Sequence, residues 1–574
     1  MGLGILEPRS AESVPGTTRY FEDPETSPAT ATATAPVSSN LKYDTSGPVP
    51  IVLIPQPSDD PNDPLNWPLW KRDLIVTILS ITSIFATCLG PILAANTLTL
   101  SLYFRLKFTK IAVLTGWYLL GVAIAAIFFV PSARIWGKRH LFLIGTVTLI
   151  ISSVWGGAVK HNYDSLAAAR FFQGVGTAPF ETLVNAAVGD LYFVHERGKR
   201  MALTNLAVFG GAFFTPILVG RITHVKTLGW PWTFYFVAIF TAVCLPLVYF
   251  FVPETAFVRP DHLNTDIAIV KHEEYQKHPD HQTAYELNPG RPTSAERASE
   301  GQDHESHRSA TGIFAGAGTP RKSRSENLRI FNGRVSQESF WKLALRPFPL
   351  FAHPAVLWAS LIQGAMIGWT VFMGIILAAI FLGPPLYWNE EQTGYAYAGA
   401  FVGAVVGFLM AGALADWSAK YMTRRNNGVY EPEFRIILVI PQLIFGCAGL
   451  YLFGITAAAL VDYPHVLPIV GFGLQVGGMV IGAVAASLYI VDAHRDIAIE
   501  AFTTTIIFKN LFSFGLTFSA YDWLVSAGTY KTFMWISSIQ IIICLTSIPM
   551  YIFGKRNRDF FHRHNILKIC GLAG

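Results

Sequence analysis

From Leu74 onward the chain is a succession of apolar stretches of about 20 residues, each long enough to cross a bilayer as a helix. Six fall at roughly 74–95, 113–133, 140–159, 167–189, 203–222 and 232–252. Six more fall at roughly 354–381, 395–415, 435–456, 466–491, 500–522 and 531–553. The pattern predicts an all-α integral membrane protein of twelve transmembrane helices in two six-helix bundles. Residues 1–70 are polar, as in TSPATATATAPVSSN (26–40), and lack the basic-then-apolar order of a secretory signal. They read as a disordered arm. Residues 258–350 carry KHEEYQKHPDHQ and SHRSATGIFAGAGTPRKSRSE without a sustained period, and read as a flexible linker. The expected division is an arm (1–70), a first bundle (71–257), a linker (258–350), a second bundle (351–554) and a tail (555–574).

Composition agrees with this reading. Of 574 residues, 52% are hydrophobic and 14% charged, against about 25% charged in soluble domains. A water-soluble enzyme and a disordered chain are both excluded. The net charge of +5 says less than where the basic residues sit. With a cytoplasmic N-terminus, the short inner loops hold eleven Lys and Arg and the outer loops six, which places both termini and the linker in the cytoplasm. The charges are spread too thinly for a nucleic-acid surface. Cys88, Cys244, Cys447, Cys544 and Cys570 form no C-x-x-C pair, so neither a disulfide framework nor a metal site is expected.

The halves echo each other. The second span is followed by PSARIWGKR (131–139), the eighth by GALAD (412–416), Lys420 and Arg424-Arg425. The fourth ends in Asp190 with His195-Glu196-Arg197 beyond it, the tenth in Asp492 with His494-Arg495. Two bundles of equal polarity are the parallel-repeat plan of a rocking secondary transporter. Further motifs are DPLNWP (63–68), Arg170-Phe-Phe-Gln173-Gly174 in the fourth span, Gly211-Ala-Phe-Phe-Thr215-Pro216-Ile-Leu-Val-Gly220 in the fifth and Pro253-Glu254-Thr255 after the sixth. On these the chain resembles the major facilitator superfamily over nearly all of residues 60–555. The resemblance is greatest to the fungal twelve-helix drug:proton antiporter branch, with its polyamine and cation transporter relatives. It implies a proton-coupled antiporter for a drug, toxin or secondary metabolite, in the plasma membrane or alternatively the vacuolar membrane. It also implies a gate latch at Gly137, Lys138 and Arg139. Arg134 replaces the family's Asp there, whereas the repeat keeps Asp416 near Arg424, so the latch is expected mainly in the second half. Thr215 and Val219 stand where the fifth-helix motif has glycines.

Ionisable residues within spans are functional candidates by default. Arg170 and Glu181 are eleven residues apart, about three helical turns, so they share a face with Gly174, Thr177 and Asn185 near it. Glu181 is near mid-depth beside Pro179 and is the candidate for exchanging a proton or holding a cationic substrate. Arg170, with Gln173, suits a structural or a relay role. Lys509, beside Asn510, either pairs with an acid across the cavity or snorkels to the interface. Trp369, near Gln363, is the candidate aromatic for an amphipathic ligand. Asp190, Glu196, Arg197 and Asp492 suit gating salt bridges at cytoplasmic ends. Gly399, Gly403 and Gly407, and Gly473, Gly477 and Gly478, mark close helix contacts. No Walker loop or catalytic constellation is present, so a non-enzymatic, gradient-driven carrier without cofactor is expected, monomeric, with protons, a small molecule and the bilayer as partners. The alternatives are a proton-coupled importer of polyamines or other organic cations, and a non-transporting sensor.

Overall fold

A computed structural model describes residues 55–225, 227–259 and 321–572, with short pieces of the arm at 3–8, 14, 16–19, 42–44 and 51–53. Twelve helical segments cross the molecule. The first half holds α1 (Leu69–Cys88), α2 (Phe108–Trp136), α3 (Arg139–Ala158), α4 (Tyr163–Thr182, continued by Val184–Leu191), α5 (Val194–His224) and α6 (Pro231–Phe251). The second holds α7 (Pro354–Leu382), α8 (Glu390–Arg425), α9 (Pro432–Ala458), α10 (Val466–Ala493), α11 (Ala498–Ala527) and α12 (Thr529–Leu545, continued by Ser547–Arg563). Among the described residues, nine helices are long and apolar enough to cross a membrane by length and composition. α1, α4 and α11 complete the twelve. They are the more polar spans, and two of them carry Glu181 and Lys509.

Local chemistry sets the boundaries. Asp63 caps the turn Pro64–Asn66 by accepting from the Leu65 amide, and Pro68 then opens α1. The first span, expected to reach residue 95, stops at Cys88 because Gly90-Pro91 cannot continue a helix; residues 94–104 form two short helices instead. α2 ends at Gly137, whose φ of +88° favours glycine. Asn389 opens α8 with a reciprocal cap to Gln392.

Each half has its own apolar core. Close backbone approaches hold the helices together: a Cβ on Gly174 would strike the Tyr118 carbonyl of α2, and one on Gly403 the Gly473 carbonyl of α10. The glycine spacing of α8 and α10 therefore does what the sequence predicts.

The described parts of the arm, insert and tail lie on one face, the terminal face. There Arg346 Nε donates to Leu572 O at 2.9 Å, Arg556 Nε to Glu7 O at 2.9 Å, and the Lys322 amide to Asn62 Oδ1 at 2.8 Å. Two sequence expectations change here. Described pieces of the arm are packed: Ile5 is buried with Met422, Tyr430 and Phe434, and Thr18–Arg19 pairs with Val429–Tyr430. Burial pushes the Asp63 carboxyl up, but an Arg259 ion pair at 2.7 Å and the Ser58 and Leu65 amides outweigh it and hold it below the usual carboxylate range. Of the expected linker, residues 260–320 lie outside the described residues. Residues 321–334 are largely exposed, but the segment that follows is anchored: it includes the short helix Phe340–Leu345, Phe340 packs near Trp136, and Leu343, Ala344, Arg346 and Leu350 are buried.

Candidate functional site

The bundles meet along α2 against α11 and α5 against α8. In the first seam Glu181 of α4 and Lys509 of α11 form an ion pair, with side chains only 17% and 11% exposed. Glu181 is ten residues before Leu191 and Lys509 eleven after Ala498, so each is about 15 Å from the terminal-face end of its span. Pro179 has no amide to donate, and the helix breaks at Leu183. The carboxylate thus sits beside a discontinuity. Next to it Asn185 donates to Asn205 Oδ1 at 2.9 Å, and Thr204 to Asn185 Oδ1 at 2.8 Å. The group is polar, partly solvated and shared by both halves. Protonation of the carboxylate or competition by another cation would break the pair and change what joins the bundles.

The other expected site residues are placed elsewhere. Arg170 is fully buried and donates to Leu89 O (2.5 Å), Gly90 O (3.1 Å), Leu114 O (3.3 Å) and Gln173 Oε1 (2.9 Å), with its guanidinium over the Tyr118 ring. Gln173 donates in turn to Ser152 O at 3.2 Å. This is a clamp on the carbonyls freed where α1 ends, inside one bundle. Asn510 is buried and bonds its own helix at Ile506 O. Trp369 is buried, donating to Gln540 Oε1 at 3.1 Å with Phe512 edge-on, so its ring is core rather than a ligand platform. Gln363, half-buried, shares no bond with it.

The loop residues expected to latch are held by ion pairs in both halves. Lys138 pairs with Asp190, which also accepts from Thr255 Oγ1 at 3.1 Å. Glu254 accepts the amides of Lys138 and Arg139 at 2.9 and 3.0 Å, and a Cβ on Gly137 would collide with its carboxylate. The Arg139 guanidinium donates to the Val252, Tyr249, Leu328 and Arg329 carbonyls. In the second half Arg435 takes the matching place, 3.0 Å from Asp492 and 2.9 Å from Ala415 O. Asp416 and Arg424 are exposed and apart from it. The expectation of a latch centred on Asp416 is therefore corrected: Asp190 and Glu254 supply the carboxylates that Arg134 removed from the loop. Arg197 Nε donates to Tyr192 O at 2.7 Å, and Glu196 pairs with Arg72 at 3.0 Å.

The fifth-helix motif lies at helix contacts. Gly211 faces Ile84 of α1, the Pro216 carbonyl faces Gly394, and Gly220 faces the Glu390 carbonyl. With Arg221–Glu391 at 2.7 Å and Thr99 donating to Glu390 at 2.6 Å, these contacts seal the face opposite the termini. Sequence reading missed Thr204 and Asn205; the only signal was two polar residues near the start of an otherwise apolar span.

The family model of the Major Facilitator Superfamily matches residues 74–506. This chain belongs to that superfamily. Among its relatives are Protein HOL1 of Saccharomyces cerevisiae, 25% identical over 91% of this chain and 92% of that protein, and MFS transporter cpaT of Aspergillus oryzae, 24% identical over 87% and 90%. The citrinin biosynthesis cluster MFS transporter mrr1 of Monascus ruber is 24% identical over 87% and 90%. Among solved structures, the proton:xylose symporter XylE matches with a TM-score of 0.55 at 12% identity, over 84% of this chain and 96% of that one. The superfamily member described here is thus a multi-pass membrane protein with the twelve-helix fold.

Proposed function

We propose that this transporter exports a small organic molecule, such as a drug, toxin or secondary metabolite, by proton-coupled antiport with alternating access. The Glu181–Lys509 ion pair carries the reading, because it joins one titratable acid to one cation across the seam that an alternating-access cycle must open. A proton taken up by Glu181 releases Lys509 and lets the bundles rock; substrate competes for the vacated polar group at Glu181, Asn185 and Asn205. Deprotonation restores the pair. The carboxylate favours substrates with a cationic or hydrogen-bond-donating centre. The name of the Monascus relative, which ties it to a biosynthetic cluster, supports the metabolite class. The plasma membrane is the proposed location, with both termini cytoplasmic and the chain monomeric.

Replacing Glu181 with Gln tests this: pH-gradient-driven transport is lost while the protein still reaches the membrane. Unchanged transport and pH dependence in E181Q would exclude the role. Cells lacking the protein accumulate the substrate if it is exported and are starved of it if it is imported.

A further inference from the structure

At the terminal face four charges form a closed ring of alternating sign across the α2–α11 seam. Arg134, near the end of α2, lies 2.7 Å from Glu500 in the first turn of α11 and 2.8 Å from Glu338. Arg346 lies 3.2 Å from the same Glu500 oxygen and 2.9 Å from Glu338. Glu338 and Arg346 flank the short helix Phe340–Leu345 at the end of the insert. The Glu338 end is anchored on the first bundle: the Val335 amide donates to Ile135 O at 2.6 Å, and Phe340 stacks near Trp136. The Arg346 end leads into α7 of the second bundle. Glu500 and Arg346 are 7% and 6% exposed, Glu338 and Arg134 24% and 37%. One Glu500 oxygen takes both guanidinium groups, and the other is buried without a partner.

We infer that Glu338 and Arg346 are positioning residues of the terminal-face gate, standby partners that keep Arg134 and Glu500 paired when the bundles part. The inference rests on the alternating-access reading. The ring has two edges across the seam, Arg134–Glu500 and Glu338–Arg346, and two within a bundle, Arg134–Glu338 and Arg346–Glu500. Opening breaks the first two and keeps the second two, so no charge is stranded. A simple cross-seam latch would instead leave a nearly buried carboxylate alone whenever it opened, and that costs far more than breaking a solvated pair. The end of the insert makes opening reversible, and its position sets how readily the gate moves.

The two models differ in sign. Without Arg346, opening strands Glu500, so Arg346→Gln holds the gate shut. Without both Arg346 and Glu500 neither cross-seam edge remains and opening strands no charge, since Arg134 keeps Glu338, so R346Q/E500Q lets it open. The reporter is a cysteine at Ala123, 1% exposed on α2 and two turns along the face on which Gly116 meets Thr517 of α11, in a background with the five native cysteines replaced. Its rate of reaction with a membrane-impermeant maleimide measures opening. Relative to the Ala123→Cys parent, R346Q is expected to react at least tenfold more slowly, R346Q/E500Q at least tenfold faster, and R346K close to the parent. R346Q reacting at the parental rate or faster overturns the proposal. If R346Q does not elute as a single species, Glu338→Gln decides: slower reaction, by a smaller factor because Arg134 is more exposed, supports it, and unchanged or faster reaction overturns it. A parent that does not react at all contradicts the alternating-access reading itself, and the ring's gating role falls with it.

Discussion

Glu181 and Lys509 are opposite charges contributed by different bundles at nearly equal depth, in two of the three spans that are not long and apolar enough to stand out by composition. Each is the other's counter-charge in a partly buried setting. Losing one strands its partner, whereas losing both does not. E181Q and K509M alone should each lower thermal stability in detergent by about 1–3 kcal/mol, and E181Q/K509M should regain most of the loss. Additive losses in the double variant would show that the two side chains do not act as a pair.

Arg170 satisfies three backbone carbonyls at the end of α1 and the start of α2. Arg170→Ala removes the side-chain donor from the carbonyls of Leu89 and Gly90, with an expected cost of roughly 1–3 kcal/mol. Arg170→Lys, with a single donor centre, should lose part of that. Calorimetry or dye-monitored melting of purified protein distinguishes the series; a neutral R170A would mean the clamp is dispensable.

Gly403 and Gly515 give a matched contrast. A methyl group on Gly403 runs into the Gly473 carbonyl, while one on Gly515 meets nothing within 4 Å. Gly403→Ala should cost about 1–3 kcal/mol by forcing α8 from α10. Gly515→Ala should stay within about 0.5 kcal/mol of the parent. Equal effects on melting temperature would contradict the packing.

His353 is buried and His494 half-buried, with ring centroids 4.6 Å apart at the terminal face. Burial lowers His353 to about 4; for His494 burial, then His353 and Arg558, push it well below the ordinary range. Between the lowered values and about 6.5 the unfolded chain binds more protons than the folded one, so stability rises with pH. The fold should lose stability as pH falls from 6.5 toward 4. Melting temperatures across that window should flatten in H353Q/H494Q, and an equally steep decline there would assign the effect to other groups.

The sequence made the helices and their repeat legible because apolar runs and glycine spacing are local. Glu181 was legible for the same reason: a carboxylate in a span stands out. Its partner was not, since two outcomes for Lys509 fit the sequence equally and only the approach of α4 to α11 separates them. Arg170 read equally as structural or as a relay, because its partners are backbone carbonyls near the Gly90-Pro91 break, which no side-chain pattern reports. Trp369 misled similarly, its partner Gln540 lying 171 residues away. Asp416 drew attention because it matched a motif position, whereas Asp190, in the continuation of α4, and Glu254, beyond α6, reach Lys138 and its amide from distant parts of the chain. The end of the insert has no periodicity to betray it, yet Glu338 pairs with Arg134 of α2 and Arg346 with Glu500 of α11.

The most direct test of proton coupling is substrate-driven proton movement in proteoliposomes, followed with an internal pH dye while a panel of amphipathic cations and neutral metabolites is added. For any compound that moves protons with the wild-type protein, E181Q should move none, yet should still exchange labelled for unlabelled compound. Undiminished proton movement in E181Q would contradict the account.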